Sequence, residues 1–280
     1  MSNPLKRAEA LCGEPDPFFA HFLEWQEDFA AYDRRQVHYR LIGSKKKEQK
    51  AKKYPVVYLG DAGVALASGE TLELLGKTDR RILFSDLLGV GESQAFNSKD
   101  QAEWVDLAAN EVSAVLLKSG IADTKAKTVP KLHIVAVGFG IEVADVLLKR
   151  SSAERTGYQV ASVVAEGWSV PGNMKSITFA DIQGEKLCAT EGAEGGNINI
   201  LRTVYQSGEW QPREALKHVS EVVPVLALRM EVSPSIAFQN TRLREEVLRG
   251  GGRLPHLMQT EECMVEIDNF LEEVESMDKQ

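Results

Sequence analysis

Cysteine is scarce in this sequence, long apolar runs are missing, and positive charge falls short of negative. The three cysteines, Cys12, Cys188 and Cys263, are far apart and odd in number, so neither a disulfide framework nor a CxxC-type zinc site is expected. No apolar stretch reaches the roughly 18 to 20 residues of a membrane span. The opening MSNPLKRAEALCGEPD lacks the apolar core of a secretory signal. These absences predict a soluble intracellular protein, cytoplasmic first, with an organellar lumen or stroma as the alternative. With 33 Lys and Arg against 41 Asp and Glu, the formal net charge is -8, which gives no general attraction to nucleic acid phosphates. No internal repeat is visible, and no cofactor or metal is implied.

What is present suits one large α/β domain, since 280 residues are enough for a single sheet covered by helices on both faces. One segment opposes the acidic balance. Lys45, Lys46, Lys47, Lys50, Lys52 and Lys53 crowd a short polar stretch between two apolar runs. Like-charge blocks of this kind usually form solvated connections, so a loop is expected there, with contact to an acidic partner surface as the alternative.

Along the chain, residues 18–33 (FFAHFLEWQEDFAAYD) space apolar side chains as one helix face would. QVHYRLIG alternates like a strand, and YPVVYLG, RRILFSD, KLHIVAV, YQVASVVAEG and VVPVLALR are compact apolar runs of the buried-strand kind. Helical patterns fall near residues 71–75, at 101–118, in GIEVADVLLKR, in IAFQNTRLREEVLR and at 260–276. Alternation of this kind predicts a doubly wound, mostly parallel sheet. It fails between residues 168 and 220, where EGAEGGN and short helical pieces suggest an inserted lid. The expected organisation is an N-terminal helical extension at 1–34, a core at 35–167 and 221–280, and a lid at 168–220.

Two segments then carry a family resemblance. FSDLLGVGES, residues 84–93, resembles the D-x-x-G-x-G-x-S turn of many α/β-hydrolases, the proline iminopeptidase-like enzymes among them. One βα unit later, HIVAVGFGIEVADVLL is similar to that family's strand, nucleophile elbow and helix, where G-x-S-x-G sets a serine on a strained turn. In that alignment the elbow reads Ala136-Val137-Gly138-Phe139-Gly140, with Gly138 at the nucleophile position. The resemblance thus implies an α/β-hydrolase fold without the attacking hydroxyl that acyl transfer needs.

Other stations of the resemblance drift as well. Gly60-Asp61 stands where the family's His-Gly loop supplies an oxyanion donor; an inward Asp61 would repel a developing oxyanion, and the alternative is that it faces solvent. Ser233 falls where the triad acid is expected, and His256 at the general-base position, followed by Glu261. Some members of the fold take the acid from the strand after the elbow helix, where this chain has Glu166; otherwise Glu166 caps the lid entrance. GGGRLPH leaves little room for a strand before the histidine loop. Trp168, Trp210 and Phe139 line a retained pocket or serve as core. The leading reading is a degenerate hydrolase acting as a module that binds an unknown protein partner or a small apolar ligand. Two alternatives stand beside it. One is an active esterase or aminopeptidase-like hydrolase with a non-standard nucleophile. The other is a nucleotide-binding protein, because VAVGFGIEVA also fits a G-x-G turn opening a helix, with Val143 at the third glycine position and Glu166 placed like a ribose-binding acid.

Overall fold

The computed structural model describes residues 26–32, 35–61, 79–89, 91–93, 104–153, 156–168, 211–231, 233, 235–250 and 260–279. Eight strands among them form one sheet in the order β1-β2-β4-β3-β5-β6-β7-β8. These are β1 (Gln26–Tyr32), β2 (Arg35–Ile42), β3 (Val56–Leu59), β4 (Ile82–Ser85), β5 (Lys131–Val137), β6 (Gln159–Glu166), β7 (Val225–Met230) and β8 (Leu243–Leu248). β1 and β2 run antiparallel; every pairing from β4 through β8 is parallel. The helices are α1 (Lys45–Ala51), α2 (Trp104–Lys118), α3 (Phe139–Ala153), α4 (Pro212–Val222) and α5 (Thr260–Met277).

The central strands are buried on both faces, which is why they read as unbroken apolar runs. On one face Ile134, Ala136, Val163 and Ala165 pack with Val112 of α2, Leu147 of α3, and Leu216 and Val219 of α4. On the other, Val135, Val137, Val164 and Leu226 meet Met264, Ile267, Phe270 and Leu271 of α5. The parity of the strands sorts the residues, since successive side chains point to opposite faces. α4 begins inside the stretch expected to form the lid and runs two residues beyond it, and it buries Ala215, Leu216 and Val219 in the main core. Residues 169–210, most of that stretch, lie outside the described residues, as does the helix expected near 71–75.

Three expectations are corrected. Residues 26–32, expected to be helical, form edge strand β1, paired along its length with β2; the preceding residues are outside those described. LREEVL, also expected to be helical, is β8. Beside β7 its Glu245 pairs with Arg229 at 2.7 Å, and it is a strand just before the glycines that were expected to leave little room for one.

The lysine block is not a loop but helix α1. Ser44 caps it, accepting the Lys47 N–H at 3.5 Å, and Lys52 closes it in the left-handed region at φ 54. Glu48 is turned inward, 5% exposed, and binds the Arg81 guanidinium and backbone N–H at 3.0 to 3.2 Å. The ion pair fixes a helix whose lysine neighbours at i,i+3 and i,i+4 repel by about 0.2–0.5 kcal/mol each.

A second buried network closes α5 against the same end of the sheet. Arg80, wholly buried, bonds both carboxylate oxygens of Glu275 and also reaches Asp268 and the Tyr54 carbonyl. His133 bridges Ser162 Oγ at 2.8 Å and Glu275 at 3.3 Å. Burial by itself would raise the Glu275 carboxyl. Hydrogen bonds from His133, Arg80 and the Tyr54 N–H, with the Arg80 charge, overcome that and hold it down to about 2. A carboxyl held below its ordinary value stabilises the fold above that value and loses this contribution as pH falls toward the folded one. Glu275→Gln is therefore expected to destabilise the protein by about 3 kcal/mol near neutrality, because it leaves a buried guanidinium short of a counter-charge. In denaturant titrations the gap from wild type should shrink as pH falls from about 4.5 to about 2.

Candidate functional site

The order β4-β3-β5 reverses the direction of winding, so the carboxyl ends of β3 and β5 open side by side at a topological switch point. β3 delivers Gly60 and Asp61 to that crevice; β5 delivers Val137 and Gly138, and α3 starts at Phe139. Gly138 has φ +52, a left-handed backbone that costs a side-chain-bearing residue on the order of 1–3 kcal/mol. Its N–H donates to the Glu166 carbonyl at 2.9 Å, and its own carbonyl accepts the Ile141 N–H at 3.0 Å. At Gly140 a β-carbon would lie 2.2 Å from the Leu59 carbonyl oxygen. Only glycine lets α3 approach β3 this closely.

Asp61 is turned inward, 7% exposed. Its Oδ1 accepts the Phe139 N–H at 3.0 Å. A β-carbon on Gly138 would lie 2.7 Å from Asp61 Cγ and from each of its carboxylate oxygens. The carboxylate thus fills the space that a side chain at 138 would enter. It also sits at the amino end of a 15-residue helix, where the dipole and the free amides favour an anion.

No protein-family model matches the sequence, and no curated protein matches it either. Solved structures do. A proline iminopeptidase from Mycobacterium smegmatis superposes with a TM-score of 0.64 over 90% of this chain and 100% of that one, at 15% identity. The N-acyl homoserine lactonase AidH, complexed with N-hexanoyl homoserine, gives 0.63 over 89% and 97% at 14% identity. An α/β hydrolase from Novosphingobium aromaticivorans gives 0.60 over 89% and 98% at 16% identity. The chain has the α/β-hydrolase fold.

Within the α/β-hydrolase fold the other expected site residues separate. Glu166 ends β6 wholly buried, and its side chain is on the α5 side, where Cys263 Sγ donates to Oε1 at 3.8 Å. The lid stretch whose entrance it was expected to cap lies outside the described residues. Burial and the Glu166 charge push the Cys263 thiol well up. Ser233 lies in the turn after β7; its N–H donates to the Met230 carbonyl at 2.9 Å and its carbonyl accepts Arg229 Nη1 at 3.0 Å. Phe139 and Trp168 are buried in the main core, 2% and 3% exposed. His256 and Trp210 lie outside the described residues, and with them any pairing of Glu166 with His256. The nucleotide alternative also meets Asp61, because the Phe139 amide that would face a phosphate holds a carboxylate.

Two arrangements near the crevice were not singled out from the sequence. The Asp86 carboxylate, at the head of the D-x-x-G-x-G-x-S turn, bonds His38 Nδ1 at 2.7 Å and accepts the Glu92 N–H at 3.2 Å. Ser93 Oγ accepts the His38 N–H at 2.7 Å and donates to the Asp86 carbonyl at 2.5 Å. His38 falls on the polar positions of an alternating strand, with Gln36 and Arg40, so the pattern held no sign of its burial. The second is Glu142 in the first turn of α3. Burial raises its carboxyl to about 7, the Gln211 N–H it accepts lowers it in part, and Asp145 adds to the rise.

Two outcomes follow from this geometry. Gly138→Ser is expected to destabilise by about 2 kcal/mol, from backbone strain plus collision with Asp61, and Asp61→Gly in the same chain should recover about 1 kcal/mol; a double-mutant cycle of chemical denaturation measures the coupling. For Glu142, a raised carboxyl favours the fold below its ordinary value and opposes it as pH rises toward about 7. Glu142→Gln should therefore match wild type near pH 4 and gain on it by pH 8 in thermal melts across that range.

Proposed function

We propose that this chain is a catalytically silent α/β-hydrolase-fold module that binds a protein partner or a small apolar ligand. The observation that carries this is the Asp61 carboxylate over Gly138, bonded to the Phe139 N–H. Acyl transfer needs a nucleophile at the elbow and amide donors aimed at the oxyanion that forms. Glycine offers no attacking atom. One donor already holds a fixed negative charge, and a second anion about 4 Å away is repelled by about 4 kcal/mol at an effective dielectric near 20. That amounts to roughly three orders of magnitude in rate. Ser233, in the turn where the acid is expected, carries no charge to steady an imidazolium at His256.

One alternative has support from the same observation, since Asp61 is the described group standing where a serine nucleophile would be. Its burial and its bond to the elbow amide favour a plug over an attacking group.

The test is hydrolysis of p-nitrophenyl esters and proline arylamides by wild type, His256→Ala and Asp61→Asn. Rates at buffer background for all three are expected. Turnover abolished by either substitution would overturn the silent reading, and a mass adduct on Asp61 after rapid quenching would establish the nucleophile instead.

A further inference from the structure

α1 stands at the end of the sheet opposite the crevice, because it leads into the amino end of β3, whose first residue, Val56, pairs with His133 near the start of β5. Other charged groups at this end of the sheet are paired. Arg81 has Glu48, Arg80 has Glu275 and Asp268, Lys53 has Glu272, and Lys131 has Asp278. Lys45, Lys46, Lys47, Lys50 and Lys52 are exposed and make no ion pair with any described residue. The single acid of the helix, Glu48, is turned away from them into the core. On a period of 3.6 residues Lys46 and Lys50 point directly away from Glu48 with Lys47 and Gln49 at their flanks, while Lys45 stands exposed at the helix start, nearer the Glu48 side. A buried ion pair and caps at both ends thus hold a self-repelling cationic ridge in place on a chain of net charge -8.

We propose that α1 is a docking surface for an acidic segment of a protein partner. Its chemistry favours that occupant over other polyanions. α1 and its C-cap present five exposed lysines and no arginine, so the surface offers separate ammonium charges suited to successive carboxylates and lacks the planar fork that grips phosphates bidentately. It carries no aromatic side chain to stack on a base. Nor does it carry a large apolar side chain to enter a lipid surface. Because the body of the molecule is acidic, a like-charged partner is turned away elsewhere and oriented here, which makes the ridge a determinant of register and association rate. This inference goes beyond the silent elbow and does not rest on it.

The experiment is fluorescence anisotropy of the full chain with a labelled peptide of alternating Asp and Glu residues, from low to physiological salt. Lys46→Glu with Lys50→Glu is expected to weaken binding by about tenfold or more and to flatten its salt dependence. Lys125→Glu with Lys127→Glu, an equal charge change on an exposed loop, should leave affinity within about twofold of wild type. Thermal melts confirm that both pairs fold. Equal losses in the two pairs would overturn the proposal, as would no measurable binding. Tighter binding of phosphatidylserine vesicles or of duplex DNA than of the peptide would overturn it too.

Discussion

The amino end of α3 is pressed against the carboxyl end of β3, and the crevice takes its form from that contact. Gly140 permits it, since any β-carbon there would run into the Leu59 carbonyl. The strand continues directly into Gly60 and Asp61, so the same closeness carries the Asp61 carboxylate to the first amide of the helix. Gly138 then has to be both left-handed and bare. Backbone approach, helix dipole and carboxylate agree, and the elbow is held by internal bonds that need no ligand.

The two ends of the sheet handle charge differently. At the crevice end, buried acids have backbone amides among their partners: Asp61 has Phe139, Asp86 has Glu92 beside His38, and Glu111 has Leu88 beside Arg35. At the opposite end, guanidinium–carboxylate pairs do the fastening, Arg80 with Glu275 and Arg81 with Glu48. Amide-bound carboxylates suit a rigid turn, whereas ion pairs tie together elements distant in sequence, here α1 to β4 and β4 to α5. Breaking such a pair leaves a buried charge uncompensated, and so these joints tolerate substitution poorly.

Much of this was legible in the sequence where burial imposed one pattern. β3, β5, β6 and β7 are buried on both faces and show as apolar runs; the elbow could be placed because strand, glycine turn and helix are contiguous. Sheet edges were harder. In β8, Leu243 and Val247 are four residues apart, a spacing that puts them on one face of a helix and also on one face of a strand. Charges at Arg244, Glu245 and Glu246 suit an exposed helix face, and edge strands often carry them too. α1 was hidden by its like charges, because a buried partner for Glu48, remote in sequence, outweighs local repulsion. The direction of Asp61 was left open for the same reason: which way a side chain turns after a strand depends on the neighbouring element.

Among the described residues, α5 alone covers the face formed by Val135, Val137, Val164 and Leu226. It also follows every strand in chain order. During vectorial synthesis the sheet's strands therefore leave the ribosome before α5 does, and the part of that face packed on α5 waits until it emerges. Until α5 arrives, the apolar side chains that it covers, Val135 and Val164 among them, stay open to solvent on the nascent chain.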